Sequence, residues 1–302
     1  MQHRHYLLFD RVVIQGANAI SSPLTYGFPA ISGFIGAIHA LSRHLNQPDK
    51  IALDGVLIAS HSCDVQAYRP HPYADYSFNQ SRNPIKKDGK TAAIVEEGKA
   101  HLIVSLVVEV YTESRKTLRE DKAELAFLQQ CREGLMQQRM AGGSILSIGQ
   151  VELFEIEAHQ ALRTALMPAF VLMDAGDALS ELTAHLQENR PSATALDVFV
   201  ELSTLHHTPQ DNDQWQTSSI KSGYGWLVPM PVGYQGLTDR FDAGVLANCR
   251  HQDYPSHYVE CLYGLGKWVF PYRLQDTFEQ AFWRYSQPQD HVYLLSQSPA
   301  AH

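Results

Sequence analysis

The spacing of apolar residues predicts the elements at the start of the chain. Residues 6–15 are apolar and β-rich, which favours a central strand. Pro29 follows a loop containing Gly, Ser and Asn, and it is typical of the first turn of a helix. One face of this predicted helix is apolar and consists of Ile31, Phe34, Ile35, Ile38, Leu41 and Leu45.

Two strands, a second helix and a fourth strand follow. A strand is predicted within 51–67, and 100–111 alternates in polarity as a half-buried strand does. Its apolar face consists of Leu102, Val104, Leu106, Val108 and Val110. Residues 118–140 fit an amphipathic helix ended by two glycines, and 144–154 fits a strand. The inward side of this helix is predicted to carry Leu118, Leu125, Leu128, Cys131 and Leu135.

The resulting order, β–α–β–β–α–β, predicts an α+β fold of the ferredoxin-like type found in RNA-recognition domains. Residues 68–98 break the pattern between the second and third strands, and an insertion of this length is typical of a functional loop. We therefore expect a palm over 1–154. Residues 155–302 would be an acidic helical segment, with helices near 176–189 and 194–206, and an irregular β part packed on the palm.

Composition narrows the class of protein. The chain has 302 residues, 44% of them hydrophobic and 19% charged, which is typical of a globular protein. Its longest apolar runs are far shorter than the roughly 18 residues of a membrane span, and the apolar run YLLF near the start is too short to predict a signal peptide. Four cysteines without a CxxC pair favour the reducing cytoplasm.

The net charge of −8 is unevenly distributed. Residues 1–150 carry 16 Lys and Arg and 14 Asp and Glu, a net charge of +2. Residues 151–215 carry 2 and 11, a net charge of −9, and 216–302 carry 6 and 7, a net charge of −1. A polyanion can therefore bind the first half, whereas we expect 151–215 to avoid RNA.

Three segments could contact a nucleic acid. The loop after the first strand offers Asn18, Ser21 and Ser22 and leads into a helix N-terminus, which suits phosphate, although an ordinary capping loop has the same composition. Gly142, Gly143 and Ser144 after Arg139 could form an anion nest or a plain helix C-cap.

The third segment is the basic stretch 82–90 within the insertion. Its cations are Arg82, Lys86, Lys87 and Lys90, opposed only by Asp88, so its net charge is +3. Tyr76 and Phe78 precede it, and cations interleaved with aromatic rings suit single-stranded nucleic acid. The alternative is a solvated hairpin tip.

Catalytic motifs are missing from the sequence. It contains no HExxH, no GxSxG and no Walker loop, so no metal, cofactor or catalytic residue is predicted. The only acid–base set available is His61 or His101 together with Tyr111 or Lys99. A metal-independent endoribonuclease therefore stays open as an alternative.

Five segments in order resemble a known family. They are GANAISSPLTYGFP (16–29), FNQSRNPIKKDGKTAAIVEEGKAHLIVSL (78–106), QRMAGGSIL (138–146), GWLVPMPVGYQGL (225–237) and YGLGKW (263–268). Together they resemble the subunit of the type I-F CRISPR surveillance (Csy) complex that binds the 5′ handle of the CRISPR RNA. Gly16 departs from the family pattern, which has Asn there. The likeness runs from residue 6 to about residue 275.

The resemblance implies a non-catalytic member of the repeat-associated RNA-binding (RAMP) superfamily, with the insertion as a thumb on the palm. The implied partners are the crRNA 5′ handle, the large subunit in a heterodimer, the repeated backbone subunits and, through the complex, target double-stranded DNA. No membrane partner is implied. The implied RNA-binding residues are Asn18, Ser21, Ser22, Arg82, Asn83, Lys86, Lys87, Lys90, Arg139, Gly142, Gly143 and Ser144. A protein-interaction scaffold with little RNA contact stays open as a further alternative.

Overall fold

A computed structural model describes residues 1–45, 50–114, 117, 118, 120–210, 214–249 and 251–297. Residue 119 of the predicted second helix and 211–213 of the acidic block lie outside the described residues. The protein is a mixed α+β structure with two compact units, Met1–Phe170 and Val171–His302. The predicted palm over 1–154, with a C-terminal part packed on it, stays a prediction.

The elements of the first unit follow in chain order. They are β1 (Gln2–Asn18), α1 (Ser32–Arg43), β2 (Ile51–Val65), β3 (Ala67–Tyr68), β4 (Ser77–Phe78), β5 (Gln80–Arg82), β6 (Ile94–Glu96), β7 (Lys99–Thr112), α2 (Asp121–Met136), β8 (Arg139–Met140), β9 (Gly143–Ser147), β10 (Val151–Glu155) and α3 (His159–Ala165). Helix α3 was not predicted from the sequence.

The sheet of the first unit is antiparallel and has β1 at its centre. Strand β7 pairs with β1 on one side and with β2 on the other, while β9 and β10 pair with the second edge of β1. Helix α1 packs on β2 and α2 packs on β9 and β10. The two helices contact each other, which puts them on the same face of the sheet.

Helix α1 begins later than predicted. Its first residue is Ser32, because the amides of Gly33 and Phe34 donate to the carbonyls of Ala30 and Ile31, so Pro29 lies outside the first turn. The predicted apolar face is confirmed. Its six residues, Ile31, Phe34, Ile35, Ile38, Leu41 and Leu45, are all buried.

Helix α2 differs from the prediction at both its end and its face. It ends at Met136, before the two glycines. Leu125, predicted to face inward, is 67% exposed, whereas Phe127 is 5% exposed. The buried stripe is Phe127, Cys131 and Leu135, one residue per turn, and this register leaves Leu125 on the solvent side.

The elements of the second unit are as follows. They are β11 (Phe170–Asp174), α4 (Gly176–Asn189), α5 (Ala195–Leu202), β12 (His206–Pro209), β13 (Trp215–Ser218), β14 (Trp226–Gly236), β15 (Val259–Val269), two 3₁₀ turns (Pro271–Leu274 and Phe278–Ala281), β16 (Arg284–Ser286) and β17 (Val292–Ser296). The first residue of β11, Phe170, is the last residue of the first unit. Helix α4 is confirmed at its predicted bounds, whereas α5 is shorter than 194–206.

The C-terminal part contains regular strands as well as irregular segments. Strands β14 and β15 form a long antiparallel pair, and β11 and β17 extend the same sheet. Prolines are tolerated within β14 because β17 covers only Gly233–Gln235, so the first part of β14 has one partner strand. A core of Leu182, Val198, Leu227 and Leu265 joins α4 and α5 to this sheet.

Two glycines of α1 provide a test of the packing. A Cβ added at Gly33 would lie 2.7 Å from the Cα of Ala141, whereas one added at Gly36 meets nothing within 4 Å. Gly33→Ala is therefore expected to lower the free energy of unfolding by about 1–3 kcal/mol through overpacking. Gly36→Ala should raise it by up to about 1 kcal/mol through helix propensity.

The measurement is urea unfolding of the full chain followed by circular dichroism. Gly36→Ala is the matched control, since it makes the same chemical change in the same helix. Equal effects of the two substitutions would contradict the close contact between α1 and Ala141.

Candidate nucleic-acid interface

Three segments meet at the C-terminal end of β1. The amide of Asn18 donates to the carbonyl of Ala141 at 2.8 Å, and the amide of Ala19 donates to the carbonyl of Gly98 at 2.9 Å. Asn18 is also the register partner of Lys99 at the start of β7. The first loop, the end of the insertion and the glycine-containing segment, which are far apart in sequence, are therefore neighbours.

The glycine-containing segment is a β-hairpin, so the helix C-cap interpretation was wrong. Strands β8 and β9 pair Met140 with Gly143, and the two residues between them, Ala141 and Gly142, have φ values of 49° and 81°. Positive φ at both positions defines a type I′ turn, whose twist matches the strands.

The turn approaches β1 closely. A Cβ added at Gly143 would lie 2.8 Å from the amide nitrogen of Ala17, and one at Gly142 would lie 3.6 Å from the Cβ of Asn18. The exposed guanidinium of Arg139 donates to the carbonyl of Gly142, and Ser144 is exposed on the other strand. The hairpin thus brings a cation and a hydroxyl close to Asn18.

The two serines of the first loop are engaged within the loop itself. Each hydroxyl, of Ser21 and of Ser22, lies 2.7 Å from Oγ1 of Thr25, and the Ser22 hydroxyl also accepts from the Thr25 amide. The exposed Asn18 accepts a hydrogen bond from the amide of Ile20 at Oδ1. The serines therefore shape the turn, while Asn18 presents its side chain to solvent.

The N-terminus of α1 offers fewer donors than predicted. Its first amides, from Gly33 to Ile35, already donate to the carbonyls of Ala30 and Ile31. Ala141 also packs against Gly33. An anion at this end of the sheet would accordingly depend on side chains more than on the helix terminus.

The insertion lies between the second and third strands, as predicted, and it consists of two hairpins. Val65 of β2 pairs with Ala100 of β7 at its root. We call residues 67–78, which contain β3 and β4, the aromatic arm, and residues 80–96, which contain β5 and β6, the basic arm.

The basic arm ends in a tight turn. The amide of Lys86 donates to the carbonyl of Lys90 at 2.8 Å, and Gly89 has a φ of 78°. All four of its cations are exposed: Arg82, Lys86, Lys87 and Lys90. The nearest opposing charge is Asp88, 3.7 Å from the ammonium group of Lys90. The hairpin tip is therefore a cationic surface facing solvent.

A polar chain links the basic arm to the Asn18 end of β1. The side-chain amide of Asn83 donates to Glu97 at 3.3 Å, and the ammonium group of Lys99 lies 3.3 Å from the same carboxylate. The hydrogen bond from Asn83, followed by the contribution of Lys99, lowers the pKa of Glu97. Asn83 thus acts within the arm, and Lys99 is held beside Asn18.

The root of the insertion contacts the first loop through apolar groups. The rings of Tyr26 and Phe78 meet edge to face with centroids 5.8 Å apart. A Cβ added at Gly98 would lie 2.5 Å from the side chain of Ile20. Tyr26, Gly98 and Lys99 were not predicted to belong to the site. The feature of the sequence that could have indicated them is the Gly-Lys pair directly after two glutamates.

The acid–base set considered for catalysis is only partly brought together. Tyr111 and His101 lie at opposite ends of β7, about 30 Å apart at 3.3 Å per residue. Lys99 and His101 are two residues apart in β7, so their side chains lie on the same face of the sheet. Nδ1 of His101 accepts from the amide of Gly16 at 3.2 Å, and Lys99 is paired with Glu97.

His61 belongs to a separate polar network in the middle of the sheet. Its Nδ1 donates to the carbonyl of Pro168 at 3.0 Å, and its Nε2 lies 2.8 Å from the hydroxyl of Ser105. That buried hydroxyl donates to Asp10 at 2.8 Å, and Arg11 forms an ion pair with the same carboxylate. Irregular pairing in β1 and β2 directs these side chains towards Ser105.

No group of three or more His, Cys, Asp and Glu is placed to hold a metal ion in the part of the chain that the structure describes. Among those same residues, no helix is long and apolar enough to cross a membrane.

Comparison with known proteins places the chain in a family. The family model described as CRISPR-associated protein (Cas_Csy2) matches residues 7–295. The chain therefore belongs to the Csy2 family of type I-F CRISPR–Cas complexes, and the resemblance drawn from the five motifs is confirmed.

A curated relative agrees with this assignment. The CRISPR-associated protein Csy2 of Pseudomonas aeruginosa (strain UCBPP-PA14) is 34% identical over 312 aligned positions. The alignment covers 96% of this chain and 94% of the relative. The two proteins are thus similar along nearly their whole length.

The His61 network predicts a pH dependence of stability. Burial lowers the pKa of His61 below its usual value, outweighing the hydrogen bond to Pro168. The folded state therefore favours the neutral imidazole, and this contribution to stability is present above about pH 6.5 and lost as the pH falls. Between pH 7.5 and 5.5, the urea-unfolding free energy should fall more for wild type than for His61→Gln.

The two proteins differ only at position 61, so the difference between their pH profiles isolates His61. Parallel pH profiles for wild type and His61→Gln would contradict the prediction.

Proposed function

We propose that this member of the Csy2 family is a non-catalytic RNA-binding subunit that holds the 5′ handle of the CRISPR RNA. The observation that carries the proposal is the convergence of Asn18, the Ala141–Gly142 turn and the root of the insertion at one end of β1. Single-stranded RNA is held through backbone contacts and splayed bases, and this end of the sheet offers exposed side chains suited to both.

We further propose that the first unit is a ferredoxin-like RAMP palm and that the insertion is its thumb. The strand order supports this, since the second, third, first and fourth strands lie side by side, all antiparallel. Both helices lie on one face, which is typical of that fold. The thumb would then rise from the hairpin between the second and third strands.

Two kinds of contact are proposed for the handle. Exposed Lys86, Lys87 and Lys90 neutralise phosphates, and Arg82 can grip a phosphate with two hydrogen bonds or stack on a base. Asn18 offers an amide to a splayed base edge, because the side-chain amide both donates and accepts. Affinity and discrimination would therefore depend on different residues.

The acidic block 151–215 is proposed to stay away from RNA. Its described part in the first unit supports this: β10 pairs with His5–Phe9 of β1, and Phe9 is about 30 Å from Asn18 at 3.3 Å per residue.

We propose that the protein forms a heterodimer with the large subunit, contacts the repeated backbone subunits, and takes part in binding target DNA through the assembled complex.

The division between affinity and discrimination can be tested with a salt series. The combined change of Lys86, Lys87 and Lys90 to alanine should weaken handle and scrambled RNA alike, and flatten the salt dependence by up to about three ions. Asn18→Ala should reduce discrimination between the two RNAs and leave the slope unchanged. The assay is RNA affinity of the heterodimer at several salt concentrations.

The matched control is Lys122→Ala on the solvent side of α2, which removes one cation away from the proposed path. If the triple lysine variant and Asn18→Ala both bind like wild type at every salt concentration, the RNA path lies elsewhere.

Absence of nuclease activity is a separate prediction. Purified protein incubated with its repeat RNA and a chelator should leave the RNA intact, because Tyr111 lies far from His101, Lys99 is ion-paired with Glu97, and His61 is held by Ser105 and Pro168. Gel analysis of labelled RNA provides the measurement. Cleavage that His61→Ala or His101→Ala abolishes would overturn the non-catalytic assignment.

A further inference from the structure

The aromatic arm exposes three large rings. Tyr68, Tyr73 and Tyr76 are 59%, 96% and 69% exposed. They lie on one short hairpin closed by the pairing of β3 with β4. The ring of a tyrosine is usually at least partly buried. Three exposed rings within twelve residues therefore mark a surface available to a partner.

The arm is held in a defined conformation. The guanidinium of Arg69 donates to the carbonyls of Ala74, at 2.8 Å, and Pro72, and it lies 5.1 Å from the ring centre of Tyr76. These contacts tie Arg69, at the start of the loop between β3 and β4, to residues near its end. The rings are therefore presented by an ordered loop, which reduces the entropy cost of binding.

The aromatic arm is also anchored where the proposed handle site begins. Phe78, at its base, turns towards the first loop and contacts Tyr26, so it is not available for stacking. The carbonyl of Gln66 accepts from the amide of Asn79, which joins the end of the aromatic arm to its beginning. The basic arm follows immediately, with Arg82 two residues after Gln80 at its start.

We propose that the aromatic arm is a stacking platform for unpaired bases of RNA, with Tyr73 and Tyr68 as the contacting residues and Arg69 as a positioning residue. This inference rests on the proposed function, since the aromatic arm shares its root with the basic arm, which is proposed to hold phosphates. Exposed rings and a run of cations on two hairpins with one root match the chemistry of a single strand, whose bases and phosphates alternate. A protein partner of apolar character is the competing occupant.

The test compares three changes at one position. In the full chain, Tyr73→Phe keeps the ring, Tyr73→Leu keeps apolar bulk without a π face, and Tyr73→Ala removes both. The probe is a synthetic single-stranded RNA with the 5′ handle of its own CRISPR repeat, measured by fluorescence anisotropy over a salt series. The same three changes are made at Tyr68.

Base stacking predicts a specific order of affinities. The phenylalanine variants should bind like wild type, while the leucine and alanine variants should bind about 5- to 100-fold more weakly, with an unchanged salt slope. Removing the stacked base from the RNA should weaken wild type by a similar factor and leave the alanine variant unaffected. Arg69→Ala should weaken binding less than Tyr73→Ala.

Other outcomes overturn the proposal and separate it from the function on which it rests. If the triple lysine variant binds weakly while every tyrosine variant binds like wild type, the platform is wrong and the RNA site stands. If all of them bind like wild type, both are wrong. If the leucine variants bind like wild type and the alanine variants do not, apolar burial explains the contact without stacking, and the stacking proposal is again wrong.

Discussion

Strand β1 is paired on both edges, and the rest of the first unit depends on that constraint. It pairs with β7 from Gln2 to Asn18, and β9 and β10 complete its other edge. Because every neighbour is antiparallel, the end of β1, the start of β7 and the turn before β9 must lie at the same end of the sheet. The candidate interface is the consequence of this register.

Backbone contact makes that end of the sheet compact. Glycine at 143 leaves room for the backbone of β1, and glycine at 33 leaves room for Ala141. A side chain at either position would separate the turn from the sheet or from α1. Asn18 therefore owes its position to neighbours that carry no side chain, and the exposed polar groups around it are attached to a closely packed backbone.

The two arms of the insertion divide chemistry that the sequence presents as one segment. The basic arm places three lysines at a solvated turn and Arg82 at the end of β5, whereas the aromatic arm displays three tyrosines, of which Tyr76 lies against Arg69. Phe78, the last residue of the aromatic arm, packs against Tyr26. A search for cations interleaved with aromatic rings would assign equal roles to Tyr76 and Phe78, although only one of them remains exposed.

The sequence by itself determined the apolar face of α1, the strands β1, β2 and β7, the place of the insertion and the family, because each depends on local periodicity or on ordered motifs. The fourth strand predicted over 144–154 is two strands, β9 and β10, which pair with different parts of β1. Only the tertiary structure decided that Gly142 and Gly143 belong to a hairpin, that Ser21 and Ser22 shape their own loop, and that Lys99 lies beside Asn18. The positions of the hairpin and of Lys99 depend on pairing with β1 between residues 81 to 134 positions apart. The role of the serines depends on whether each hydroxyl is hydrogen-bonded within its loop or left for a ligand. Composition and spacing along the chain contain neither kind of information, since the distance between two side chains is set by the register of the sheet.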